Sequence, residues 1–382
     1  MAVDQAGLAE GRPSHQDLDQ GGIVSASNQQ ADLAATGPSP EAARPAVSVV
    51  IPVYNSAGYL ETVLAAVYQS SFRDFEVVIV NDCSTDNSLQ VLSGLSDRFP
   101  YRLVDFQENL GVSKARNAGA DAARGDIILF IDADCVVQPH TMARCVAAME
   151  QEDRICVGGA YTTEPWDKGF FNTFQSIYIN HVETKVENPD YIATHCMAIR
   201  KDTFRKFGGF ITDSFIGHAA SVEDVELSHR MLAAGYRLSR PQDILVQHIF
   251  GYNFRKSVKN AVKKSKYWTM YSLKNRDVMK DSGAASYELK TNVGTQALNL
   301  GLLVALLLTG KWWLLLPMAA LFLANLAVSF RLLLLIKREQ GWWFLARAMA
   351  YFMLVYPIVV AYGSGVGTLK YIWEVKLLKR YS

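Results

Sequence analysis

The sequence has no cysteine pattern that would organise a fold. Its five cysteines, Cys83, Cys135, Cys145, Cys156 and Cys196, are odd in number, and none has CxxC spacing. That argues against a zinc site or a disulfide framework and favours a reducing compartment. Charge of one sign is not in excess either. The 38 Lys and Arg balance 37 Asp and Glu, so there is no global case for nucleic-acid binding. The N-terminus lacks a basic patch followed by an apolar core. No signal peptide is therefore expected, and the globular part is expected to stay in the cytoplasm. Residues 1–45 hold no apolar run long enough to offset the entropy of ordering, and they read as a disordered tail. No internal repeat is present.

What is present is apolar: half of the 382 residues are hydrophobic. Val47–Ile51, Glu76–Val80 and Asp126–Ile131 are short, nearly continuous apolar runs, each followed by a proline or an acidic turn. Such runs suit strands buried on both faces of a parallel sheet. Helical periodicity separates them, over Tyr59–Gln69, from about Ser84 or Asp86 to Leu95, and over Ser113–Ala123. Alternating strand and helix predicts a doubly wound, Rossmann-like α/β domain with a mostly parallel sheet. Ile155–Tyr161 and Tyr191–Arg200 are further predicted strands. Phe170–Val182 and Val222–Ala234 are further predicted helices, the second stopped by Gly235.

Beyond His248 the character changes. The segment Phe254–Lys266 carries six basic residues and no acid. Lys256, Lys259, Lys263 and Lys266 share one helical face, and Tyr267, Trp268 and Tyr271 follow. Residues 251–290 are therefore expected to form amphipathic helices on an anionic bilayer surface. Three uncharged runs come next, Thr291–Gly310, Trp312–Phe330 and Ala348–Leu369, each near the ~20 residues needed to cross a bilayer. Two or three membrane segments are expected within 291–369, with a basic tail over 370–382. Arg331, Lys337 and Arg338 favour the cytoplasmic side. Three complete spans would place the basic tail outside, against the same rule. A break near Pro357 or Gly363, or a re-entrant segment, would avoid this.

Ligands of such sheets bind beyond the carboxyl ends of the strands. Those ends carry Asn81, Asp82, Asp132 and Asp134. Asp132 and Asp134 lie one residue apart after a buried strand, so they can converge on a divalent cation. Carboxylate oxygens suit Mg2+ or Mn2+, which neutralise phosphate charge. Glu223-Asp224 opens a helix and offers a general base, with the helix dipole favouring the anion. His248 is a candidate further ligand. His195 and His218 are candidates to border a second substrate, or structural histidines. Trp166, Phe170 and Phe171 are candidates for an acceptor platform or a membrane-facing lip.

Six stretches occur in order: VSVVIPVYN, VVIVNDCSTDNS, ENLGVSKARNAG, GDIILFIDADC, FGGF and EDVELSHRMLAAGY. Together they resemble family 2 glycosyltransferases of the GT-A fold, over roughly Val47 to His248. The resemblance implies a nucleotide-sugar donor. Pro52, Tyr54 and Asn55 would form the first nucleotide-contacting loop, and Asp82 would read the base, usually uracil. Asn109, Gly111, Arg116 and Asn117 would close over the nucleotide. Asp132 would sit at the ribose and the metal-diphosphate, with Asp134 the principal metal ligand. Asp224 would be the base, beside Glu223, and Arg230 matches a recurring arginine of that helix.

The resemblance also implies inversion at the anomeric carbon. No Gln-x-x-Arg-Trp sequence follows Asp224, which argues against processive polymer synthesis. The expected activity is a single transfer from a nucleoside-diphosphate sugar, UDP-linked in the first instance, to a lipid-linked or glycan acceptor at the lipid bilayer. That fits cell-envelope glycan or glycolipid synthesis, with the catalytic domain on the cytoplasmic face of a bacterial inner membrane. A polyprenyl-phosphate acceptor, a non-catalytic nucleotide-sugar-binding scaffold and a nucleotidyltransferase are the competing readings. The last usually has a Gly-rich basic loop at the first strand, which IPVYNSAGY lacks.

Overall fold

The computed structural model describes residues 44–379 apart from 152–153, 213–221, 280 and 284. The N-terminal tail up to residue 43 and His218 lie outside the described residues.

The chain begins with β1 (Val47–Val53), α1 (Leu60–Tyr68), β2 (Phe75–Asn81), α2 (Ser88–Leu95), β3 (Arg102–Asp105), α3 (Val112–Ala122) and β4 (Ile127–Ile131). It continues with β5 (Cys135–Val137), α4 (Thr141–Met149), β6 (Arg154–Gly158), β7 (Ala160–Tyr161), α5 (Phe170–Glu183), β8 (Cys196–Arg200) and α6 (Lys201–Lys206). Then come α7 (Glu223–Ala233), β9 (Arg237–Ser239) and β10 (Leu245–His248).

A seven-stranded sheet has the order β3-β2-β1-β4-β8-β6-β9. Its first four strands are mutually parallel, and β8 runs antiparallel to both β4 and β6. The apolar runs behave as expected. Val49, Val50 and Ile51 are wholly buried, and each such side chain stabilises the fold by about 1.5–3 kcal/mol. Strand β1 runs through Pro52 rather than stopping at it.

The sheet is covered tightly by α3. A Cβ on Gly119 would lie 2.3 Å from Val50 Cγ1, so only glycine lets this helix approach β1 so closely. Arg116, one turn earlier on the same helix, is thereby brought to the sheet and is itself buried.

A second sheet, β5-β10-β7, has three strands. Its antiparallel register pairs His248 with Cys135, which carries His248 to the residue after Asp134.

The predicted strand Tyr191–Arg200 is shortened to Cys196–Arg200. The backbone before it is satisfied by side chains instead of a ladder. Ile192 N donates to Ser228 Oγ at 3.1 Å, and the fully buried Arg240 donates to Tyr191 O at 2.7 Å.

The remaining helices are α8 (Phe254–Asn275), α9 (Tyr287–Thr309), α10 (Leu315–Ala350) and α11 (Tyr356–Tyr371). Among the described residues, two helical stretches are long and apolar enough to cross a membrane: Tyr287–Thr309 and the 66-residue Trp312–Leu377. The second is interrupted at Gly341, whose φ of 78° breaks the helix.

The last apolar run does not stand apart. It forms a π-helical turn (Tyr351–Val355) and α11, which lies along α8. Gly363 and Gly367 make that contact close: an added Cβ would sit 2.8 Å from Val262 O and 2.3 Å from Lys266 O. Small residues four apart allow such backbone approach.

Candidate active site

The structure gathers the acidic motifs through one cation. Arg116 donates from one terminal nitrogen to Asp132 Oδ1 at 2.6 Å and from the other to Glu223 Oε1 at 2.7 Å. It also lies over the Phe210 ring, 5.8 Å from its centroid. Burial opposes the guanidinium's charge, but Asp132 and Glu223 outweigh that, and its pKa rises further. Asp132 shows the converse. Burial raises its pKa, the Arg116 charge and hydrogen bond lower it, and the net shift is downward.

The cation site forms beside this bridge. Asp134, Cys135 and His248 each place one ligand atom within 4.8 Å of the others. His248 Nε2 is 3.5 Å from Asp134 Oδ1. Its ring stacks on Phe250 at 4.1 Å and meets Tyr161 edge-on at 5.0 Å. Burial and the adjacent Asp134 and Asp132 push the Cys135 thiol well up, so it stays protonated. A protonated thiol is a poor ligand for a hard cation. The donor set that suits Mg2+ or Mn2+ is thus Asp134 with His248. Burial and Asp132 raise the Asp134 pKa despite the His248 imidazole, and a divalent cation would offset that cost. Asp132, also expected as a ligand, gives its Oδ1 to Arg116.

Asp224 is at the start of α7. Burial first, and then neighbouring Glu223, raise its pKa to about 7. The expected anionic preference from the helix dipole is therefore overruled, because desolvation in the wall of an apolar cavity outweighs it. A base poised near neutrality suits proton transfer better than a permanently charged one. Glu223 itself is paired with Arg116.

Asp82 closes β2, two strand spacings or roughly 10 Å from β4 along the same sheet edge. Its carboxylate accepts from Leu110 N at 2.7 Å and Gly111 N at 2.9 Å, while Asn109 Nδ2 donates to Asp82 O at 3.1 Å. Gly111 adopts φ 87°, which suits this tight loop. Tyr54 is exposed at the same edge, and Pro52 is buried beneath it.

Three residues expected at the donor brace neighbouring backbone. Asn55 Oδ1 accepts from Thr85 N at 2.7 Å and Asp86 N at 3.2 Å, tying two loops together. Asn117 exchanges both hydrogen bonds with the Phe210 backbone, at 2.8 and 2.9 Å. Arg230 binds Glu226, Gly209 O and Phe207 O. Its guanidinium holds the FGGF turn.

The sequence reading missed Tyr161. Its ring lies 4.1 Å from that of His195 and 5.0 Å from that of His248, so it stands between them. Nothing local marks a lone tyrosine in a two-residue strand. His195 is buried beside Glu183 at 3.7 Å, and desolvation lowers its pKa. Phe170 and Phe171 face the C-terminal helices. They pack on Tyr351, and Phe170 also packs on Phe344, docking the globular part onto the C-terminal helices.

The sheet order and the flanking helices define an α/β fold of the GT-A type. A solved mannosyltransferase from Pyrobaculum calidifontis, in complex with GDP-Man and Mn2+, shares it. That structure has a TM-score of 0.53 and 19% identity, covering 91% of each chain. Residues 48–208 match the family model of Glycosyl transferase family 2. An uncharacterized glycosyltransferase of Nostoc sp. is 40% identical over 112 residues, 29% of this chain and 35% of that protein. One from Haemophilus influenzae is 26% identical over 211 residues, 51% of this chain and 66% of that protein. The match thus spans about a third of the first of these relatives.

Proposed function

We propose that the chain is an inverting, metal-dependent glycosyltransferase. It moves one sugar from a nucleoside-diphosphate sugar to an acceptor presented at a membrane. The observation that carries this reading is the Arg116 bridge, which ties the Asp132–Asp134 loop to the Glu223–Asp224 helix start.

In this reading Asp134 and His248 hold Mg2+ or Mn2+, which supplies charge neutralisation for the leaving diphosphate. Asp82 and the Asn109–Gly111 loop receive the nucleoside. Asp224 takes the proton of an acceptor hydroxyl as its oxygen attacks the anomeric carbon. A single displacement of this kind inverts that centre.

The C-terminal helices support a membrane location. α9 and the first half of α10 form a hairpin with exposed Trp312 and Trp313 at its tip; Trp342 and Trp343, also exposed, follow the second helix. Aromatic pairs at both ends suit the two bilayer interfaces. Inside the hairpin Asn325 Nδ2 donates to Asn292 Oδ1 at 2.7 Å, and Asn292 Nδ2 donates to Phe352 O at 2.5 Å. With α11 docked on α8, two spans suffice. The basic tail then stays on the side of the catalytic domain, as the positive-inside rule requires. This reading places that domain in the cytoplasm.

The test is a donor panel on purified full-length chain with Mn2+ or Mg2+ and membrane lipid, read by nucleoside diphosphate release. One donor should be turned over, and Asp134→Asn should abolish the turnover. Release of inorganic diphosphate instead, or no metal-dependent binding of any nucleotide sugar, would sink the proposal.

A further inference from the structure

His248 lacks the support that usually orients a metal-binding histidine. Such a ring normally donates its second N–H to a carboxylate or a carbonyl. Here Nε2 faces Asp134, while Nδ1 is buried with no hydrogen-bond partner among the described residues. Rings take the place of that bond. Phe250 stacks on the imidazole with 23° between the planes, and Tyr161 meets it at 72°. Tyr161 and Phe250 also meet each other edge to face, with 5.7 Å between centroids at 86°. The three rings form a closed trio, and contacts of these two kinds have a preferred geometry.

Both aromatic partners are held by one helix. Strand β7 lies at the edge of its three-stranded sheet, so part of its backbone needs partners from elsewhere. α5 supplies them with side chains. Asn180 Nδ2 donates to Tyr161 O at 2.6 Å, Ser176 Oγ donates to Thr162 O at 2.7 Å, and Glu183 Oε2 accepts from Tyr161 N at 3.2 Å. Nearer the start of the helix, Asn172 Nδ2 donates to Asp167 Oδ2 at 2.6 Å. Asp167 in turn accepts from Phe250 N and Gly251 N at 2.8 and 2.7 Å.

Asn172, Ser176, Asn180 and Glu183 recur every three or four residues, so they share one face of α5. Phe170, Phe174 and Tyr178 are offset by two residues and fall on the opposite face. There Phe174 packs on Tyr351 and Phe352 of the C-terminal part. Asn172, Ser176 and Glu183 are buried. A buried polar stripe is tolerated where each member finds a partner, and here the partners lie on the segments that carry Tyr161 and Phe250.

We infer that Tyr161 and Phe250 are positioning residues for the His248 imidazole, and that the polar face of α5 fixes them there. The inference rests on the glycosyl-transfer reading, in which His248 helps to hold the cation, and adds what aims that ligand. Because the other face of α5 carries the C-terminal helices, the same helix ties the cation site to the candidate membrane part.

The test uses the full chain in detergent and titrates Mn2+ alone, with the free ion read by electron paramagnetic resonance. Tyr161→Ala should weaken Mn2+ binding by about tenfold or more, the usual loss when the support of a metal ligand is removed. Tyr161→Phe keeps the ring and should restore the affinity. Phe250→Leu and Asn180→Leu should shift it in the same direction as Tyr161→Ala. The melting temperature of each variant is measured alongside. A double-mutant cycle separates positioning from a merely structural role. In the His248→Ala background, Tyr161→Ala should cause no further loss, because the ligand it aims is gone. If Tyr161→Ala does not fold, Tyr161→Leu carries the same cycle. Undiminished Mn2+ binding in the Tyr161 variant, or the same loss with and without His248, would overturn the inference and leave the transferase reading standing. Mn2+ binding indifferent to His248→Ala would overturn the assignment of that ligand, and this inference with it. Nucleotide-sugar binding, measured on the same samples, tests the transferase reading separately. Its absence from the unmodified chain would sink that reading, while coupling between Tyr161 and His248 in Mn2+ affinity would still stand.

Discussion

Arg116 of α3 donates to Glu223 of α7 at 2.7 Å across 107 residues of sequence, and both side chains are almost completely buried. The same guanidinium holds Asp132, so one cation bridges two carboxylates from two motifs. Removing it would leave both uncompensated. Arg116→Met is expected to destabilise the fold by about 3–5 kcal/mol, and denaturant unfolding measures this. Transfer should fall with it, and Arg116→Lys should rescue stability only in part, because an ammonium lacks the two-pronged geometry.

The raised pKa of Asp224, about 7, sets two pH dependences of opposite sense. As a base Asp224 works only when deprotonated, so kcat/KM with a hydroxyl acceptor should rise with pH through about 7. Stability runs the other way. The folded state holds this proton more tightly than the unfolded state, where the carboxyl titrates near 3.9. Unfolding therefore releases a proton at intermediate pH, and the contribution to stability falls as pH rises from roughly 4 to 7. Asp224→Asn should remove this slope and lower kcat by about 10²–10⁴. Near-normal turnover by that variant would instead favour a phosphate nucleophile.

His248 and Asp134 should behave as a pair toward metal. His248→Ala and Asp134→Ala are each expected to weaken Mn2+-dependent donor binding at least tenfold in calorimetric titration. Chelation should remove activity from the unmodified chain, and added Mn2+ or Mg2+ should restore it.

Arg230 should separate bracing from binding. Because it holds Glu226 and the carbonyls of the FGGF turn, Arg230→Ala is expected to lower the melting temperature by several degrees. Any loss of donor affinity should be smaller than that of Asp134→Ala.

The hairpin reading predicts opposite labelling at its two ends. In intact cells Lys311→Cys, at the hairpin tip, should react with an impermeant thiol reagent. Lys376→Cys should react only after permeabilisation. Equal labelling of both would mean a third complete span.

The parallel strands and the acidic positions at their ends were legible in the sequence because both are local. An apolar run of five residues bounded by a turn residue fixes a buried strand, and Asp82, Asp132 and Asp134 follow such runs directly. The base pair Glu223-Asp224 was legible for the same reason, at a helix start. The roles of Asn55, Asn117 and Arg230 were not. Each side chain could face a ligand or a neighbouring loop, and only the docked FGGF turn and the Asn55–Thr85 contact decide which. Tyr161 and the cavity behind it were also hidden, since residues of β7, α5, α7, α8, α9 and α11 build that wall.

The sequence by itself determined a transferase-type sheet, its charged edge and a strongly apolar C-terminal part, because periodicity and strand-end chemistry act over a few residues. Tertiary structure alone decided that Asp132 pairs with Arg116, that burial pushes the Asp224 pKa up to about 7, and that the last apolar run packs along α8. Each of those outcomes depends on burial or on contacts between residues 16 or more apart, and such desolvation and charge pairing leave no local pattern.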